Sequence, residues 1–234
     1  MLHLFRSKVT LTLSFLLAIT VAQHATAQRN NPYYDNKRIH FGFLVGLNGS
    51  TFQMMQEAAN FAVNDTLQYI RPGWGPGFHL GIIGDLRLAE HATLRLTPTL
   101  MFSQRNLAYT FENPKNNIER NIQMANIDIP LLLKLRSDRI GNFRLYLIGG
   151  FKYSIDMASQ EKVVSDVERV KTVRSDYAYE LGLGADIYLP YFKFSPEIKF
   201  SQGLQNVLVP ESHVYSNPLM ALSARTIIIS FNFE

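Results

Sequence analysis

The chain of 234 residues contains no cysteine. That absence excludes disulfide frameworks, thiolate metal sites, cysteine nucleophiles and thiol redox chemistry together. Charge is also scarce, at 18% of residues against the usual quarter. Although 47% of residues are hydrophobic, no apolar run reaches eighteen, so a helical membrane span is not expected. Amphipathic helical patterns of core length are missing too, which leaves nothing to cover one face of a sheet. A hydrophobic chain with neither a spanning helix nor a covering layer needs another solution.

The N-terminus has three parts. Arg6 and Lys8 precede a mostly apolar run at 9–21, and Ala25-Thr26-Ala27 follows as a small-x-small site. This layout predicts a secretory signal peptide over 1–27, because the run is too short and too rich in Ser and Thr for an anchor. The full chain has 23 basic and 19 acidic residues, and losing Arg6 and Lys8 leaves 21 against 19. No basic stripe remains, so nucleic acid is not an expected partner. Residues 28–38 are polar and read as a short N-terminal tail on the exported side; the rest, 39–234, reads as one domain.

From Ile39 onward apolar residues recur at every second position, the period that gives each face of a strand its own side chains. Eight such segments are predicted, near 39–48, 78–88, 94–105, 126–136, 143–156, 177–187, 192–200 and 226–233. Their apolar faces carry Ile39, Phe41, Leu80, Leu100, Leu131 and Leu147, with aromatics such as Phe102, Tyr177 and Phe233 near the ends. Their polar faces hold His79 and the charged residues of these segments. Asp85 and Arg87 lie on the second segment, Arg95 and Arg105 on the third, and Asp128, Lys134 and Arg136 on the fourth. Arg144, Lys152 and Asp156 follow on the fifth, Glu180 and Asp186 on the sixth, and Lys193, Glu197 and Lys199 on the seventh.

Connections alternate in length: short at 89–92, 137–142 and 190–191, long at 53–73, 112–121, 158–175 and 205–221. Short turns at one end and long loops at the other, on strands with one apolar face, predict an all-β fold: an eight-stranded antiparallel outer-membrane barrel with lipid outside and charge inside. Outer-membrane lipids and lipopolysaccharide are then expected partners of the wall. Eight strands enclose a space that side chains can fill, so the inward charges read as a structural, ion-paired interior rather than a pore. Pro98, Pro130 and Pro196 fall inside strands of a closed sheet, and a bulge at each is the expected accommodation.

Catalytic constellations are hard to find. His40, His79, His91 and His213 show no zinc spacing, no serine lies in a nucleophile-elbow frame, and Gly182-Leu183-Gly184 lacks the third glycine of a dinucleotide site. No metal, cofactor or catalytic residue is therefore assigned. The glycines at 182 and 184 read as relief of crowding. The one enzymatic set that could be assembled is a rim Ser/His/acid group from Ser50, His79, Glu211, Ser212 and His213, as lipid-modifying barrels use.

Asn126-Ile127-Asp128-Ile129-Pro130-Leu131-Leu132-Leu133-Lys134 resembles a strand common among small outer-membrane barrels of Bacteroidota. The likeness extends over Pro76–Leu88, Leu94–Leu100, Asn142–Gly150, Asp176–Tyr188 and Phe192–Phe200, and together these segments resemble the PorT family of the type IX secretion and gliding-motility machinery. That resemblance implies a non-enzymatic outer-membrane component needed to export proteins with C-terminal sorting domains, with other type IX secretion subunits as partners. The surfaces expected to act are the first long loop, Phe52 to Arg71, and the third, Ala158 to Ser175.

Overall fold

The computed structural model describes residues 30–32, 34–56, 67–112, 118–157, 173–207 and 219–234. The predicted signal peptide and most of the long loops lie outside these residues. A 3-10 turn, Tyr34–Asn36, leads into β1 (Ile39–Gln56), β2 (Leu67–Arg87), β3 (Ala92–Leu96), β4 (Thr99–Phe111) and β5 (Ile118–Arg136). Then come β6 (Phe143–Asp156), β7 (Ser175–Tyr188), β8 (Lys193–Gly203) and β9 (Leu219–Phe233). Every pairing is antiparallel, and β1 pairs with both β2 and β9, which closes the sheet. β3 and β4 share both neighbours and are one strand interrupted at Thr97 and Pro98, so the ring has eight positions. The chain is an all-β, eight-stranded closed barrel.

The side chains follow the alternation. Leu131, Leu133 and Leu135 of β5 are exposed on the outer wall, whereas Asp128, Lys134 and Arg136 of the same strand are buried inside. This outer apolar belt has a definite upper edge, because the polarity of the strands inverts. Higher on β5, Glu119, Asn121 and Gln123 face out and Met124 is buried; higher on β4, Gln104 and Asn106 point outward and Leu107 and Tyr109 are buried. Below the inversion the outer medium is hydrocarbon; above it the outer medium is water, and the apolar residues turn inward. From Phe78 on β2 to Leu88 just past its end, the belt covers about 33 Å of chain and about 25 Å of height at a 40° tilt, the thickness such a belt requires. Aromatic pairs mark both rims: Phe78 with Phe102 (4.9 Å) and Tyr153 with Tyr177 (5.0 Å) above, Phe43 with Phe233 (5.0 Å) below.

Three expectations are corrected. The first long loop is much shorter than 53–73, since β1 continues to Gln56 and β2 begins at Leu67. Likewise β5 begins at Ile118, inside the expected second loop. The prolines, moreover, do not sit at bulges. The pairing offset of β5 with β6 is the same on both sides of Pro130, that of β8 with β9 is unchanged at Pro196, and β2 meets β3 and β4 in one continuous register across Pro98. A proline deletes one donor but inserts no residue, so it leaves a local gap in the ladder and the faces downstream stay as they were. True irregularities occur higher up, between Met55 and Gln56, between Leu67 and Tyr69 and between Trp74 and Gly77. The last of these lies at the level of the polarity inversion.

Inward glycines provide room for the large interior side chains. A Cβ on Gly184 would collide with the Tyr146 ring and hydroxyl and lie 2.8 Å from the Pro196 carbonyl; one on Gly182 would lie 2.6 Å from Lys199 Cγ. Gly184→Ala is expected to destabilise the barrel by about 1–3 kcal/mol, the range for overpacking, read as a lower urea midpoint of the folded form. An unchanged midpoint would mean that Tyr146 moves freely and the interior is loosely packed.

Candidate functional site

Among the described residues the interior is where chemistry-bearing side chains converge, and it is built in layers. Nearest the short turns, Lys193 bonds Glu234 (2.7 Å), and Lys134 bonds Asp186 (2.7 Å) while lying 3.8 Å from the Tyr146 ring centroid. Arg95 joins this layer, clamping Asp85 with two 2.7 Å bonds and reaching Glu234 at 2.6 Å and Glu197 at 3.4 Å. Tyr146 donates its hydroxyl to the same Glu197 carboxylate at 2.8 Å. One layer up, Lys152 lies 3.2 Å from both Asp128 and Glu180, and Lys199 lies 3.1 Å from Glu180 and 3.6 Å from Glu197, which ties the layers together. Five cations thus face six carboxylates in one network. Such near-balance is what burial demands, since an unpaired charge here has no water to solvate it.

Both ends of this column are closed. Above it, Arg105 lies 4.8 Å from the Phe52 ring centroid, beneath an apolar cap of Phe52, Ile70, Leu107, Tyr109, Val207 and Leu222. Between network and cap a cavity of about 30 Å³, lined by Arg105, Lys152 and Asp176 among others, has room for one or two waters. Below, the segment expected to be a free tail is folded into the mouth. Tyr34 stacks on His40 (4.2 Å between centroids) and donates to Glu234 at 3.1 Å, and burial raises its phenol pKa above the ordinary value. Asp35 lies 3.2 Å from Arg144, 3.4 Å from Arg136 and 3.8 Å from Arg139. A polar segment can be drawn in here because the mouth offers arginines and aromatic rings, an attraction that no periodic pattern reports.

Fourteen of the fifteen charged residues assigned to the interior are buried. Arg87 is the exception: it is half-buried at the rim and donates to the Asp35 backbone carbonyl. Arg136 and Arg144 are buried but serve the mouth rather than the main network. Tyr146 joins the interior on the polar parity of Arg144 and Lys152, whereas Glu234 and Tyr188 join it without having been assigned to it, although alternation carried one residue further turns Glu234 inward with Ser230 and Asn232. Asp35 and Tyr34 have no strand pattern to reveal them.

Of the rim enzymatic set only Ser50 and His79 lie among the described residues, and each is engaged elsewhere. Ser50 bonds Thr226 at 3.0 Å, while His79 bonds Ser230 at 3.0 Å in the packed interior. Its other ring nitrogen, Nδ1, has no partner among the described residues, so no carboxylate there orients the imidazole as a general base. Glu211, Ser212 and His213 lie outside the described residues.

Residues 22–209 match the model of the outer membrane protein beta-barrel domain family. The chain belongs to that family. An outer membrane beta-barrel of this kind presents its short turns to the periplasm and its long loops to the exterior, so the Asp35 mouth is periplasmic and the apolar cap extracellular. Solved structures with similar folds include the outer membrane protein OprG of Pseudomonas aeruginosa, at 10% identity over 82% of this chain and 94% of that one with a TM-score of 0.45. Others are the attachment invasion locus protein Ail of Yersinia pestis, solved with a heparin analogue (13%, 84% and 99%, 0.37), and the outer membrane protease OmpT of Escherichia coli (12%, 83% and 95%, 0.40). No curated protein matches the chain at a significant level.

Proposed function

We propose that this outer membrane beta-barrel is a non-enzymatic component of type IX protein secretion, needed for export of proteins with C-terminal sorting domains. The family-level likeness of the segments over 76–200 supplies the secretion assignment. The observation that carries the mode of action is the filled interior: an ion-paired column closed by an apolar cap and a folded N-terminal segment leaves no passage for a polypeptide. Such a barrel acts by presenting surfaces. Its belt meets outer-membrane lipids, and its extracellular extension and periplasmic mouth are open to other secretion subunits. Lipopolysaccharide is the partner expected at the upper rim of the belt.

The test is the extracellular proteome of a clean deletion strain beside its complemented parent. Cargo with C-terminal sorting domains is expected to disappear from the medium and collect in the periplasm. Unchanged secretion would overturn the assignment and leave a general structural barrel. The filled interior also predicts that purified protein gives no discrete conductance steps in planar bilayers, and reproducible steps would favour a small pore.

A further inference from the structure

Residues 30–32, 34 and 35 do more than cover the mouth; they are held in it as a bound peptide would be. The Asp35 carboxylate accepts from Arg144 at 3.2 Å, Arg136 at 3.4 Å and the Tyr188 hydroxyl at 3.1 Å. The main chain is gripped too, by Arg87 at the Asp35 carbonyl, by Arg139 at the Asn30 carbonyl, and by Asn142 Oδ1, which accepts from the Asn30 amide at 2.8 Å. In return the Asn30 and Asn31 side-chain amides donate to the carbonyls of Tyr188 and Leu189, each at 3.0 Å.

One observation indicates that this segment does not exhaust the site. The guanidinium groups of Arg136, Arg139 and Arg144 all meet one carboxylate, and the Nε atoms of Arg136 and Arg144, both residues more than nine-tenths buried, have no hydrogen-bond partner among the described residues. Positive charge in excess and main-chain donors and acceptors spaced along a groove suit a peptide with more than one acidic side chain. A free phosphate or lipid headgroup would satisfy the guanidiniums but leave the main-chain contacts unused.

We propose that the periplasmic mouth is a docking groove for an acidic peptide segment of a periplasmic protein, held closed by the chain's own residues 30–36. A tethered segment competes at high effective concentration, so the partner must offer a second carboxylate to displace it. This inference is independent of the secretion reading and is tested separately from it.

The probe is a fluorescent synthetic peptide of sequence 30–36, titrated by anisotropy against the full chain in detergent. Wild-type protein is expected to bind it weakly, and Asp35→Ala, which loosens the tethered competitor, at least tenfold more tightly. Asp35→Asn, isosteric, provides a second variant should the first not fold, and heat-modifiable migration checks the fold of each. Adding Arg144→Ala to Asp35→Ala should remove the gain, as should a peptide carrying Asp35→Asn. Equal binding by folded wild type and Asp35→Ala would overturn the proposal. So would displacement of the peptide by sodium phosphate as effectively as by unlabelled peptide, since the mouth would then be a simple anion site.

Discussion

Arg95→Met is expected to destabilise the folded barrel by about 3–5 kcal/mol, the range for breaking a buried ion pair by removing one partner. Arg95 is 1% exposed and is the hub of its layer, with Asp85 held by two bonds and Glu234 and Glu197 each reached by one. Methionine keeps much of the volume but no charge, so three buried carboxylates lose their shared cation. Lys193 still bonds Glu234 and Lys199 still faces Glu197, but Asp85 has no other ion-pair partner among the described residues. Lys134→Met provides the comparison: its partner Asp186 keeps the Ser195 hydroxyl at 2.7 Å and Lys193 at 4.0 Å, and a smaller loss is expected. Urea titration of the heat-modifiable form in detergent measures both. Wild-type behaviour of Arg95→Met would show that water reaches Asp85 and that the interior is not sealed.

Much of this barrel is legible in the chain because lipid imposes a strict rule. The alternation over 129–135 cannot be satisfied in hydrocarbon unless every second residue faces out: Ile129, Leu131, Leu133 and Leu135 obey, and Asp128, Lys134 and Arg136 follow inward by parity. The same rule stops at the water interface, which is why the upper strands read as loops. On β4 the apolar parity passes from Leu100 and Phe102 outside to Leu107 and Tyr109 inside within five residues. On β2, Arg71-Pro72-Gly73 ends the expected first loop and the strand is expected only from Phe78, yet the run from Arg71 to Gly77 is strand throughout, with an irregularity between Trp74 and Gly77. The mouth is illegible for a different reason. Asp35 is held there by arginines at 87, 136, 139 and 144, distant in sequence, which only the closed ring brings together.

Leu131→Arg is expected to lower stability by about 2–4 kcal/mol in lipid vesicles, the cost of an arginine at the lipid-facing midplane of a barrel. Leu131 is 51% exposed near the middle of the belt, with Ile129 and Leu133 on either side of it along the outer face of β5. Arginine here cannot reach water by extending along the wall as easily as one placed near a rim. Asn121→Arg, on the same strand with the same outward parity, lies above the polarity inversion and is expected to change stability by less than about 0.5 kcal/mol, as surface substitutions do. The pair isolates the medium, because strand, face and introduced side chain are held constant. Equal costs at the two positions would place both in the same solvent and would move the edge of the hydrocarbon away from the level of Gln104 and Gln123. The expected contrast fixes that edge, and with it the length of barrel wall that stands in water above the membrane.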